Sequence, residues 1–69
     1  MVEIVKIEYD NIITNKGMQP IKRYYLKYPW YSINDIKQAI IKHDKLYVDY
    51  IKNIKIELYD GMRVAVLYY

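Results

Sequence analysis

The stretch Ile54-Lys55-Ile56-Glu57-Leu58-Tyr59-Asp60-Gly61-Met62-Arg63-Val64-Ala65-Val66-Leu67 decides the fold class. Ile54, Ile56 and Leu58 alternate with Lys55, Glu57 and Tyr59, the period of two of a strand with one buried face. Asp60-Gly61 follows, the strongest two-residue hairpin signal, because both central positions of such a turn need positive φ. Met62 to Tyr69 is a strand by composition. Pairing across Asp60-Gly61 sets Ile54, Ile56 and Leu58 beside Leu67, Ala65 and Arg63.

Working back from this hairpin, Leu46 to Asn53 carries two patterns, and reads either as the end of a helix or as a short strand. The helix itself is expected from Ile33 to about Lys45. Ser32 is its N-cap, with Asp35 near the positive helix end. Ile33, Ile36, Ile40, His43 and Tyr47 fall on one helical stripe, and Ile41 lies roughly opposite it. Nearer the N-terminus, Val5, Ile7 and Tyr9 alternate with Lys6, Glu8 and Asp10, predicting a half-buried strand over Val2 to Asp10. Asn15-Lys16-Gly17 is a turn in which glycine can take positive φ. A second strand is expected from Ile21 to Tyr28, with an edge or a bulge near Pro20, which lacks an N–H.

The order β-β-α-β-β predicts a small α+β domain over residues 1–69. Its four-stranded, largely antiparallel sheet carries one helix on one face. A β-grasp-like connection, with the two hairpins meeting at the sheet centre, is one way to build it. The opposite face then bears Tyr59, Val64, Val66 and Tyr68, too apolar to be left in water.

Composition narrows the functional classes. The chain has 69 residues, enough for one core only. There is no cysteine and a single histidine, which excludes disulfides, thiolate metal sites and imidazole clusters; no metal and no cofactor are expected. Small domains without such staples gain stability from a partner chain, and ten tyrosines suit an interface. The expectation is a homodimer. A net charge of +3 permits nucleic-acid binding without demanding it, since eight carboxylates are interspersed among eleven cations. No signal peptide or membrane span is legible, which points to a cytoplasmic protein. The abundance of Ile, Lys, Tyr and Asn is that of an AT-rich coding sequence and suits a viral, phage or plasmid gene.

Chemistry centres on Ile21-Lys22-Arg23-Tyr24-Tyr25-Leu26-Lys27-Tyr28-Pro29-Trp30-Tyr31. In a strand, Lys22, Tyr24, Leu26 and Tyr28 share one face, the core set, while Arg23, Tyr25 and Lys27 share the other. The second set, with Trp30 beyond Pro29, has the makings of a platform on which bases stack between phosphate-binding cations. The competing reading pairs Val5, Ile7 and Tyr9 with Tyr28, Leu26 and Tyr24. Asp10 then stands opposite Arg23 and Glu8 opposite Tyr25, a cross-strand ladder of ordinary structural charges.

No serine is paired with a base, the two glycines form no phosphate loop, and His43 reads as a border residue at the helix C-terminus. No small-molecule substrate is evident, so no enzymatic activity is expected. The leading expectation is an interaction module for a protein partner, with contacts from Trp30, Tyr31, Ile41, Tyr59, Val64, Val66, Tyr68 and Tyr69. The alternative is weak, salt-dependent nucleic-acid binding through Lys22, Arg23, Tyr25, Lys27, Trp30, Lys37 and Lys45.

Overall fold

The computed structural model describes residues 1–69. Strands β1 (Ile4–Thr14) and β2 (Gly17–Leu26) form the first hairpin, and α1 (Ile33–Asp44) follows. A 3₁₀ segment (Val48–Asn53) leads into β3 (Ile54–Tyr59) and β4 (Met62–Tyr68). The sheet order is β1-β2-β4-β3, and every neighbouring pair is antiparallel. The fold is therefore α+β, an open four-stranded sheet with one helix. The hairpins do meet at the centre, through β2 and β4, so the sheet contains no parallel neighbours of the β-grasp kind. β2 and β3 run parallel with β4 between them. A helix of about 18 Å is the length that carries the chain back along the sheet between them.

The second hairpin has the expected register, with Ile54 opposite Leu67 and Leu58 opposite Arg63. Asp60 at φ 55° and Gly61 at φ 77° supply the two positive φ values that the tight turn needs. In the first hairpin the two-residue turn is Asn15-Lys16, and Ile7 lies opposite Tyr24 rather than Leu26. This moves the register by two residues, so each side chain keeps its face. The bulge lies between Ile4 and Lys6, not at Pro20. Pro20 is tolerated because its carbonyl accepts from Tyr69 N–H at the end of β4, while Gln19 Nε2 donates to Tyr69 O at 2.9 Å, supplying the donor that proline lacks.

Ser32 caps α1 by accepting from Asp35 N–H at 3.1 Å. The helix ends at Lys45, which takes the left-handed conformation (φ 54°), and Leu46 N–H reaches back to Ile41 O. That reversal stops the helix, and residues 48–53 become neither helix end nor strand but a 3₁₀ turn. The buried stripe is Ile36 and Ile40, continued by the Asp44 side chain, which is mostly buried, rather than by His43. Ile41, expected opposite the stripe, packs against the core, while Ile33 and Tyr47 are exposed.

The core under the helix joins Tyr24, Leu26, Ile36, Ile40, Ile54, Ala65 and Leu67. Because the helix lies over β2, β4 and β3, β1 meets this core only at its start, where Ile4 packs against it. Ile7 and Tyr9, beyond it, are consequently exposed rather than half-buried, and so is Val5, which sits in the bulge. Leu58 also falls beyond the helix and is 84% exposed. On the opposite face, Ile21, Tyr25, Val64 and Val66 form a second buried cluster.

Candidate functional site

The open face of the sheet closes over itself. Arg23 Nη1 donates to Asp10 Oδ2 at 2.9 Å and to Glu8 Oε1 at 3.2 Å, and its guanidinium sits 4.4 Å from the Tyr59 ring centroid. Tyr25 donates its hydroxyl to Glu8 at 2.9 Å and is only 6% exposed. Tyr68 reaches Glu57, and Lys55 lies over the Tyr68 ring. Tyr25 and Tyr68 pack with Val64 and Val66, which are 0% and 3% exposed. Both valines, expected at an interface, are thus covered within one chain.

The hydroxyl of Tyr25, with Arg23, holds the Glu8 carboxyl below its usual range, and Arg23 does the same for Asp10. Arg23 and Tyr25 therefore form a cross-strand charge ladder, moved two residues from the expected pairing, and offer no stacking face.

Lys22 and Asp44 make a second knot, at the C-terminal end of α1. Lys22 Nζ lies 2.6 Å from Asp44 Oδ2, with both side chains about nine-tenths buried. Tyr24 donates its hydroxyl to the same oxygen, and His43 Nδ1 lies 2.6 Å from Asp44 Oδ1. Burial opposes both charges, but the mutual hydrogen bonds outweigh it: Asp44 is lowered and Lys22 raised from their ordinary values. Burial, then the bond to Asp44, pushes the Tyr24 hydroxyl far up. Lys22 is spent on tying sheet to helix. No group of three or more His, Cys, Asp or Glu side chains gathers as metal ligands would.

The remaining expected residues lie at the surface. β2 ends at Leu26, so Tyr28 leaves the core set and sits in the link to α1. There Trp30 stacks on Tyr28 with centroids 4.3 Å apart and planes 16° apart. Lys27 Nζ lies 5.4 Å from the Tyr28 ring centroid and pairs loosely with Glu3 at 3.6 Å. Arg63 fixes this elbow from β4 by donating to the carbonyls of Pro29 and Tyr31, and the Tyr31 hydroxyl accepts from Glu3 N–H. Trp30 is nevertheless 71% exposed. Beside the elbow, Pro29, Ile33, Ile56, Leu58 and Arg63 line an open hollow of about 470 Å³.

Sequence reasoning placed Trp30 at a surface but missed Leu58 and Ile33 beside it, because alternation and helical spacing both assign them inward. It also missed Asp44. Its signal was present, four residues after Ile40 on the same stripe and matched by Lys22 in the core set. Lys37 is half-buried and Lys45 exposed, and neither is ion-paired. Tyr69 is exposed at the end of β4.

Searches against protein-family models, curated proteins and solved structures find no match to this chain. No helix is long and apolar enough to cross a membrane.

Proposed function

We propose that this chain is a small non-catalytic interaction module of the cytoplasm that self-associates as a homodimer and binds a protein partner through the Trp30 elbow. One observation carries the reading: the only tryptophan is 71% exposed yet held in place, stacked on Tyr28, with the carbonyls on either side of it fixed by Arg63. An aromatic anchor fixed before binding loses little entropy when it docks, and such residues dominate interface energetics. The adjoining hollow of Pro29, Ile33 and Leu58 suits an apolar side chain of the partner.

A specific observation favours the nucleic-acid reading only in reduced form. Lys37, Lys42 and Lys45 on or next to α1 have no carboxylate partner, so weak phosphate attraction through them and the outer face of Trp30 is the second reading. Anisotropy with labelled DNA and RNA at about 50 and about 200 mM salt separates the two. The protein-partner reading expects no steeply salt-dependent binding. It also expects a photo-crosslinking residue at Leu58 to capture one discrete protein in cells, and Trp30→Ala to abolish the capture. Tight binding at low salt that collapses at high salt would put nucleic acid first.

A further inference from the structure

β1 has a free edge, and its chemistry specifies what can pair with it. Pro20 turns its carbonyl toward Tyr69 of β4. Asn11 lies directly opposite Pro20, so it turns its own N–H and C=O away from β2. The contact of Asn11 N–H with its neighbour's Asp10 Oδ1, at 2.7 Å, agrees with this. By the period of two, Ile7, Tyr9 and Ile13 also direct their backbone groups outward. Their side chains lie on the helix side of the sheet but beyond the helix, with Tyr9 64% and Ile13 85% exposed. Edge strands are normally blunted by charged side chains, lysine above all, by proline or by bulges. Here the bulge and Lys6 occupy only the start of the strand, and the only charges between Ile7 and Thr14, Glu8 and Asp10, are drawn to Arg23 within the chain.

We infer that β1 pairs antiparallel with β1 of a second copy about a two-fold axis through Asn11. This rests on the self-association proposed above and names its surface. The outward backbone groups allow two-fold pairing centred on any residue of this stretch, and charge together with the length of the ladder selects among the centres. Ile12 and Ile13 face no like charges within the strand but leave a shorter paired stretch, because β1 ends at Thr14. Centring on Glu8, Tyr9 or Asp10 sets an acid directly opposite an acid, which is unfavourable. Centring on Ile7 faces Lys6 with Glu8 but draws Val5, skipped at the bulge, into the ladder. Centring on Asn11 sets Glu8 opposite Thr14, Asp10 opposite Ile12 and Tyr9 opposite Ile13 of the second copy, with no like charges facing within the strands; Lys6 comes level only with Lys16 in the turn. Exposed apolar groups then meet across the junction. The two four-stranded sheets become one, with both helices on the same face. Between the helices runs a trough floored by Ile7, Tyr9, Ile13 and Met18 of each copy.

The chain has no cysteine, so a single introduced thiol reports its own neighbourhood. At a hydrogen-bonded antiparallel pair the Cα atoms are about 5.5 Å apart, within reach of a disulfide. On mild oxidation, Asn11→Cys is expected to give a covalent dimer, while Leu58→Cys on the opposite edge is not. In sedimentation, Ile13→Lys is expected to weaken the dimer at least tenfold with an unchanged circular dichroism spectrum. A dimer that survives Ile13→Lys and crosslinks through Leu58→Cys would overturn the β1 junction while leaving self-association standing. A chain that sediments as a monomer up to millimolar concentration would overturn both.

Discussion

Asp44 is the residue on which three others converge. Its carboxylate satisfies Lys22, Tyr24 and His43 at the place where the helix meets the sheet. Asp44→Asn leaves the Lys22 ammonium buried without a counter-charge, and the expected loss is about 3 kcal/mol, read from urea unfolding. Replacing the pair together, as Lys22→Met with Asp44→Leu, is expected to cost less than Asp44→Asn alone, since no orphaned charge remains.

The same groups set the pH range. Asp44, Glu8 and Asp10 are lowered, so their contribution is complete above the ordinary carboxylate range of about 4 and is lost as pH falls through the lowered values. Lys22 and Tyr24 are raised, so theirs is complete below the ordinary range of about 10 and is lost as pH rises beyond it. Thermal unfolding across pH is expected to show a plateau between these limits, with an acid limb that shrinks in Asp44→Asn.

At the scale of elements, turns and caps fix where each strand and helix stops. Lys45 holds a left-handed conformation that a Cβ disfavours, and it ends α1. Lys45→Gly is expected to stabilise by about 0.5 kcal/mol, the relief of strain exceeding the added freedom of the unfolded chain. Gly61→Ala is expected to cost about 1 kcal/mol, although a Cβ there would meet nothing within 4 Å, because φ is +77°. Chemical denaturation of both variants checks the two signs.

At the scale of the whole molecule, the sheet is covered unequally. α1 shields β2, β4 and β3, tyrosines and Arg23 shield the opposite face, and β1 is left with an open edge. If β1 is the junction between two copies, Tm is expected to rise with protein concentration, because association stabilises the folded state by mass action. Ile13→Lys should remove that dependence without lowering Tm at the lowest concentration, since the side chain is 85% exposed and supports nothing within the chain. Differential scanning calorimetry over a concentration series reads both.

Local chemistry was enough to specify the second hairpin to the residue. The alternation of Ile54 to Leu58 and the backbone demands of Asp60-Gly61 act over a few neighbours. The same holds for the Ser32 cap, for the helix from Ile33, and for the two faces of β2. The partition of faces also survived a two-residue change in the first hairpin, because side-chain direction depends only on parity. Tertiary structure alone decided coverage. Periodicity marks an apolar side but cannot say which strands the helix reaches, and so Tyr9 and Leu58 became surface while Ile41 became core. Nor can it say where long side chains lie, and Arg23 and Tyr25 turned from a prospective platform into the roof over Val64 and Val66. The Lys22–Asp44 tie belongs to the same class: two charges far apart in the chain are stable inside only because packing brings them together.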